Sequence, residues 1–358
     1  MGTNSYCFDS DFSLFFFMNA DPSGAERVHG GPDQHGVPRH DFSTNSNACG
    51  PCPAALAAVS QADASQYPDA GYTALRQQLA AFHGVDVTRI VLAGSASEFI
   101  FRISALAAQQ GWRAVWLPPH SYGDYVQAAR AHRLALVADA GKAQLVWACE
   151  PSSPLGVAQA GLPKLVNDCA ATAMLVLDRA YEPLRLSGAP SLSAAQLQTV
   201  WQLWTPNKAL GLTGVRAAYA VAPLGADAAV AQLESLAPSW PVGAHGVALL
   251  QAWTRPGVQA WLGGSLDTLR DWKARQIALC EAMGWACLPS EANFFCARPA
   301  WPGGLTPQQA LAGLRRHGIK LRDTSSFSLP GLVRVSVQPP VAQDALHQAW
   351  QQFIKASQ

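Results

Sequence analysis

Lys208 lies in a segment, residues 203–219, that is almost free of charge and rich in glycine and small side chains. A lysine in such surroundings is a candidate Schiff-base nucleophile, because desolvation disfavours the ammonium form and frees the amine for carbonyl chemistry. Arg216 follows in the same segment, and its planar guanidinium suits a phosphate group. Together the two residues predict a site for pyridoxal phosphate. The competing interpretation is a loop lysine and a solvated arginine.

A second candidate phosphate contact lies upstream. Residues 89–93 form an apolar run typical of a buried strand, and a turn then leads into a predicted helix over residues 99–109. Free N–H groups in such a turn form an anion site. Ser95 and Glu98 also fit a capping box. Capping and phosphate binding use different donors of the turn, so both interpretations can hold.

Tyr122 and Asp178 follow two further apolar runs, residues 114–117 and 173–177. Open α/β sheets hold ligands at the carboxyl ends of their strands, so Tyr122 is placed to stack on a planar ring. Asp178 facing a pyridine nitrogen would keep that nitrogen protonated. The alternatives are simple packing for the tyrosine and a turn cap for the aspartate.

Arg334 lies inside a fourth apolar run, residues 332–337, which we interpret as a strand. A buried guanidinium is costly unless it has an anionic partner. That partner is either a structural carboxylate or a bound substrate.

The composition restricts the class of protein. Charged residues make up only 14% of the 358 residues and the formal net charge is +1, so nothing indicates binding to nucleic acid or to a membrane surface. No apolar run reaches the length of a spanning helix, and residues 14–18 are too short for a signal peptide. We expect residues before Met18 to be dispensable.

The eight unevenly spaced cysteines are typical of a cytoplasmic protein rather than of a disulfide framework. Cys49 and Cys52 have the spacing of a thioredoxin redox centre. They follow a polar, turn-forming run instead of a strand, which favours an ordinary loop.

Strand, turn and helix patterns alternate through the first two thirds of the chain, which predicts an α/β fold with a three-layer, mostly parallel sheet. After Trp240 the pattern changes to a long helix around residues 258–280 and to strands of a smaller α+β C-terminal domain. With 49% apolar residues, two cores are expected. We therefore predict an N-terminal arm (1–45), a large cofactor-binding domain (46–240) and a small C-terminal domain (241–358).

From His29 to Val337, the order of these motifs resembles the class I/II aminotransferases of fold type I, which use pyridoxal phosphate. The lysine and arginine motifs are specific to this large family. Residues 29–31 (His-Gly-Gly), 41–47 (Asp-Phe-Ser-Thr-Asn-Ser-Asn) and 67–69 (Tyr-Pro-Asp) are specific to one neighbourhood of it. The nearest branch looks like the threonine-phosphate decarboxylases, and the next like the histidinol-phosphate aminotransferases.

The resemblance implies a role for each matching residue. Lys208 would attach the cofactor covalently and carry the proton at the substrate α-carbon. The groups that would contact the cofactor ring are Asp178 at its nitrogen, Tyr181 and Ser153 at its phenolic oxygen, and Tyr122 on its face. The remaining cofactor contacts, mostly to the phosphate, would be Ser95, Ala96, Thr205, Asn207 and Arg216.

The resemblance also implies a substrate site and a partner. The residues that would hold the phosphate and carboxylate of an amino acid substrate are His29, Gly30, Asn45, Ser153, Arg322 and Arg334. Tyr67 would reach the cofactor phosphate of a neighbouring subunit, which implies a homodimer. We assign no metal site.

Three positions depart from the family pattern. Ser153 replaces the usual asparagine at the phenolic oxygen, Arg179 replaces a usual glutamate, and Asn207 stands where a hydroxyl residue is usual. These departures bear on the tuning of the cofactor more than on its presence.

Three functions remain open at this point. The favoured one is decarboxylation of L-threonine O-3-phosphate to aminopropanol phosphate, in cobalamin biosynthesis. The second is an aminotransferase acting on a phosphorylated or apolar amino acid, similar to histidinol-phosphate aminotransferases. The third is a non-catalytic relative, which Ser153 and Arg179 support and the intact Lys208 and Asp178 oppose.

Overall fold

The computed structural model describes residues 29–170, 172–301 and 305–356. Most of the predicted arm, including the segment before Met18, lies outside these ranges. The strands are β1 (His40–Asp41), β2 (Ile90–Ala93), β3 (Ala114–Trp116), β4 (Ala135–Leu136), β5 (Leu145–Cys149), β6 (Met174–Asp178), β7 (Trp201–Trp204), β8 (Ala218–Val221), β9 (Ala286–Cys287), β10 (Phe294–Arg298), β11 (Ile319–Lys320), β12 (Arg322–Asp323) and β13 (Val333–Ser336). The helices are α1 (Pro53–Ser60), α2 (Thr73–His83), α3 (Ala96–Gln109), α4 (Gly123–Ala131), α5 (Leu162–Cys169), α6 (Ala194–Leu197), α7 (Pro206–Ala209), α8 (Asp227–Ser235), α9 (Ala244–Trp253), α10 (Pro256–Ala282), α11 (Pro307–Arg316) and α12 (Pro340–Ala356).

The main sheet has seven strands in the order β2-β8-β7-β6-β5-β3-β4. The pairs from β7 to β4 are parallel, whereas β8 is antiparallel to both β2 and β7. This confirms the predicted mostly parallel sheet.

Both faces of the main sheet are covered, because successive side chains of a strand point to opposite faces. In β2, Ile90 and Leu92 pack with α1, α2 and α9, while Val91 and Ala93 pack with α3, α4 and α8. At the other end of the sheet, β5 and β6 pack against α5 on one face. The result is the three-layer α/β architecture that the sequence predicted.

The topology brings the candidate segments to one edge of this sheet. Strands β3, β5, β6 and β7 are parallel, so their carboxyl ends lie together. Because β8 opposes both of its neighbours, β2 runs in the same direction as this group, and the N-terminus of α3 reaches the same edge. Segments that follow separate strands in the sequence therefore meet in space.

A second, antiparallel sheet, in the order β12-β13-β10-β9, packs with α11, α12 and the end of α10 around a separate core. Residues 318–323 contain two short strands, β11 and β12. β11 pairs with β1 of the N-terminal arm and β12 pairs with β13, so the chain changes sheets at Leu321. The exact division into arm, large domain and small domain stays a prediction.

Cys49 and Cys52 lie in the loop before α1 and are free thiols. Cys52 is fully buried, and burial raises the pKa of the Cys49 thiol. A redox-active cysteine needs a lowered pKa. The environment therefore supports the loop interpretation.

No helix in the described parts of the chain is long and apolar enough to cross a membrane.

Candidate active site

One cavity of about 700 Å³ lies at the carboxyl edge of the main sheet. It contains every predicted site residue except Tyr67. The predicted residues that line it are His29, Gly30, Asn45, Ser95, Ala96, Tyr122, Ser153, Asp178, Tyr181, Thr205, Asn207, Lys208, Arg216, Arg322 and Arg334. The second sheet contributes the two last-named arginines, so the cavity lies between the two sheets.

Lys208 lies on the short helix α7, directly after β7. Asn47 holds this helix from the arm side, since its backbone N–H donates to the Lys208 carbonyl at 2.9 Å and its side-chain amide donates to the Ala209 carbonyl at 3.0 Å. The Lys208 Nζ lies 5.5 Å from the centre of the Tyr181 ring. The lysine is thus fixed by its backbone while its amine points into the cavity.

Asp178, the last residue of β6, is a buried carboxylate at the floor of the cavity. Burial raises its pKa above the ordinary value, while hydrogen bonds from Tyr125 and the Ala180 N–H, and the positive charge of Lys208, oppose that rise. The Tyr125 hydroxyl donates to Oδ2 at 2.6 Å and the Ala180 N–H donates to Oδ1 at 2.9 Å. These donors stabilise the ionised form that a pyridinium partner needs.

The Tyr181 hydroxyl accepts a hydrogen bond from the side-chain amide of Asn45 at 3.4 Å. The Ser153 hydroxyl accepts a hydrogen bond from Arg334 at 3.3 Å, and its predicted contact with the phenolic oxygen of the cofactor stays a prediction. No hydrogen bond between Ser153 and Tyr181 is found among the described residues. Asn45, predicted as a substrate contact, therefore supplies the amide that donates to the Tyr181 hydroxyl.

The donors for an anion gather where α3 begins. Helix N-terminal N–H groups have no intrahelical partner, and Ala96 and Ser97, in the first turn of α3, line this end of the cavity. The buried Thr205 hydroxyl has no hydrogen-bond partner among the described residues. Arg216 also lines the cavity, with its side chain exposed. Free N–H groups, an unpaired hydroxyl and a guanidinium fit a phosphate group.

Ser95 and Asn207 line this end of the cavity and make hydrogen bonds within the protein. Ser95 caps α3 by accepting from the Glu98 N–H at 3.0 Å, but the Glu98 carboxylate accepts from Gly94 and pairs with Arg102, so the capping box is incomplete. The Asn207 amide nitrogen is directed at the Thr213 and Val215 carbonyls, both at 3.4 Å. In this geometry Asn207 braces the loop that carries Arg216, and its predicted contact with a cofactor phosphate stays a prediction.

Arg322 and Arg334 form the wall of the cavity that belongs to the second sheet. They are directly paired across β12 and β13, and both are buried. Arg334 donates to Ser153 and to the Ser43 carbonyl, its Nε has no hydrogen-bond partner, and it takes part in none of the ion pairs between described residues. Burial, and then the charge of Arg334, lower the pKa of Arg322 to about 10, so Arg322 stays positively charged at neutral pH. Two adjacent buried cations favour bound anions.

Gly30 lines the cavity, whereas Tyr67 does not. A Cβ at Gly30 would lie 2.3 Å from the Ser43 carbonyl oxygen, so only glycine permits this close approach of the arm to the cavity. Tyr67 lies outside the cavity, is 77% exposed, and stacks on Trp240 at 4.3 Å between ring centres. Its predicted contact with a neighbouring subunit stays a prediction.

The sequence analysis missed Tyr125 and Phe327. Tyr125 lies in the first turn of α4, three residues after Tyr122, and this closeness to a predicted site residue was the available signal. Phe327 lies between the two arginines, and no local pattern marks it.

The comparison with known proteins identifies the family. Residues 39–353 match the aminotransferase class I and II family, and the chain belongs to it. A histidinol-phosphate aminotransferase from Jannaschia sp. (strain CCS1) is 27% identical over 321 residues, which cover 84% of this chain and 87% of that relative.

Solved structures share the fold. The histidinol-phosphate aminotransferase from Sinorhizobium meliloti in complex with pyridoxal-5'-phosphate has a TM-score of 0.76 at 23% identity, covering 87% of this chain and 90% of its own. L-threonine-O-3-phosphate decarboxylase from Porphyromonas gingivalis has a TM-score of 0.73 at 20% identity, covering 88% and 99%. Membership of this family supports the predicted cofactor, pyridoxal phosphate.

Replacing Tyr125 with Phe tests the environment of Asp178. Loss of a hydrogen bond to a buried carboxylate, worth roughly 1.5 to 3 kcal/mol, should raise the pKa of Asp178 further. The acid limb of the kcat/KM profile should therefore move to higher pH. Tyr219→Phe is the matched control, because that buried hydroxyl bonds His83 and Trp253 instead. Identical profiles for the two variants would contradict the role of Tyr125.

Proposed function

We propose that this protein is a pyridoxal-phosphate-dependent aminotransferase whose substrate is a phosphorylated amine or amino acid of the histidinol-phosphate kind. The observation that carries the proposal is the single cavity in which Lys208 and Asp178 face two buried arginines. The similarity to curated histidinol-phosphate aminotransferases over most of the chain supports it. Transamination therefore replaces decarboxylation as the favoured activity.

Pyridoxal phosphate, when bound, supplies an electron sink that labilises bonds at the substrate α-carbon. In this cavity Asp178 would hold the ring nitrogen, and the hydrogen bond from Tyr125 opposes the rise in its pKa that burial causes. Tyr122 lines the wall beside it and would cover the ring face. The N-terminus of α3, Thr205 and Arg216 would hold the phosphate.

Lys208 would attach the cofactor and then move a proton at the substrate α-carbon. Both tasks need a mobile side chain on a fixed backbone, which the Asn47 hydrogen bond to the Lys208 carbonyl supplies. The Tyr181 ring lies beside the Lys208 Nζ, and the Tyr181 hydroxyl accepts a hydrogen bond from the Asn45 amide. Held in this way, the Tyr181 hydroxyl would orient the phenolic oxygen of the cofactor.

The arginines would bind the substrate's anions. Arg334 would take the carboxylate of the amino acid that exchanges the amino group, since its Nε lacks a partner. Arg322 would take the distal phosphate, and His29 at the mouth of the cavity would assist. Each contact is charge-assisted and also orients the substrate.

We further propose a homodimer in the cytoplasm. The exposed Tyr67, stacked on Trp240, supports a contact with a second copy. The cytoplasmic location rests on the cysteine pattern, and the free thiols of the described cysteines accord with it.

Threonine-phosphate decarboxylation is the second candidate. Threonine phosphate carries a carboxylate and a phosphate, which match two neighbouring arginines, and the fold is shared with a decarboxylase of this substrate. A non-catalytic role is the least supported, because Lys208 and Asp178 are intact and lie in one cavity.

Product analysis separates the two activities. With histidinol phosphate and a 2-oxo acid, the purified protein should form a new amino acid without releasing carbon dioxide. With threonine phosphate alone, carbon dioxide release that continues over many turnovers would establish the decarboxylase instead.

Borohydride reduction of the purified protein, followed by peptide mapping, should find the cofactor on Lys208. Lys273 is the internal control, because burial lowers its pKa to about 8 and makes it the competing buried amine. A label on Lys273 would contradict the assignment of the whole cavity.

Replacing Arg322 with Ala should reduce kcat/KM for histidinol phosphate by about tenfold to a hundredfold, since a charge-assisted contact contributes roughly 1.5 to 3 kcal/mol. Unphosphorylated histidinol should lose much less, because it has no distal anion. Arg275→Ala is the matched control, since that arginine pairs with Asp344 outside the cavity. Equal losses on both substrates would show that Arg322 is structural.

A further inference from the structure

Phe327 lies where the two arginines of the cavity meet. Its ring centre is 4.9 Å from the Arg322 guanidinium carbon and 5.7 Å from that of Arg334, and both distances are within cation–π range. The residue is buried and lines the cavity. One aromatic ring therefore contacts both candidate anion-binding groups.

Two like charges directly opposite each other on antiparallel strands repel. Arg322 and Arg334 are such a pair. The negative face of an aromatic ring offsets part of that repulsion and restricts where each guanidinium can lie. Ser326 fixes Arg322 further by accepting a hydrogen bond at 2.8 Å. The ring is thus placed to define the separation of the two cations.

The backbone around Phe327 is held on both sides. Its N–H donates to the Thr324 carbonyl at 2.9 Å, and its own carbonyl accepts from His120 Nδ1 at 2.8 Å. His120 belongs to the segment after β3 that also carries Tyr122. The hydrogen bond therefore joins the main sheet to the β12–β13 connection at the point where Phe327 enters the cavity.

We propose that Phe327 is a specificity-determining residue that sets the spacing of the two guanidiniums, and that His120 is a positioning residue that holds Phe327. Among ligands that carry two anionic groups, the site then selects by the separation of those groups. The proposal rests on the proposed function only in that Arg322 and Arg334 bind substrate anions. It does not depend on which reaction follows.

Binding of simple dicarboxylates to the holoenzyme tests this spacing without turnover. Calorimetric titration with malonate, succinate, glutarate and adipate should show one preferred length, bound about tenfold more tightly than propionate, because a second charge-assisted contact forms. In Phe327→Leu the preference for one length should be lost. Phe327→Tyr keeps the ring face and should keep the preference.

Controls separate this effect from misfolding and from failure of the proposed activity. Phe82→Leu removes a ring of α2 far from the cavity and should bind as the wild type does. Thermal unfolding checks that each variant is folded. If the wild type shows the length preference but does not turn over substrate, the proposed activity is wrong and the role of Phe327 still holds. The same preference in the wild type and Phe327→Leu, or none in the wild type, would overturn the role of Phe327.

His120 is tested by a conservative pair. His120→Ala removes the donor to the Phe327 carbonyl and should weaken the length preference, whereas the amide N–H of His120→Asn can donate in its place and should restore it. Equal behaviour of the two variants would overturn the positioning role.

Discussion

The site depends on the burial of charge. Asp178, Arg322 and Arg334 are all buried around one cavity, and a buried charge is costly unless hydrogen bonds or opposite charges stabilise it. Asp178 has its donors within the fold, in Tyr125 and Ala180. Arg334 donates only to neutral oxygens among the described residues, which leaves its charge for a bound anion.

The main sheet places Asp178 at the carboxyl end of β6, beside the carboxyl ends of the neighbouring parallel strands. Each strand end delivers one polar segment to the same edge, and the antiparallel β8 keeps β2 in the same direction. The second sheet then supplies cations from the opposite side. The cavity is therefore lined from both sheets, and its shape depends on how the two sheets pack together.

The departures from the family pattern are explained by their surroundings. Arg179 lies over the Trp204 ring at 4.4 Å and bonds Gln202, away from the cavity. Ser153 accepts from Arg334, while Asn45 supplies the amide at Tyr181. Arg179 and Ser153 thus have partners within the protein, and Lys208 and Asp178 line the cavity.

The sequence determined the three-layer sheet and the residues at its carboxyl edge, because strand and turn patterns are local and parallel strands end together. It did not predict helix α9, which is apolar on nearly every side and therefore has no period. Only the tertiary structure decided that Arg322 faces Arg334, that Tyr125 holds Asp178, and that Phe327 lies between the arginines. Strand register and contacts between residues distant in the chain leave no local pattern, so packing alone decides them.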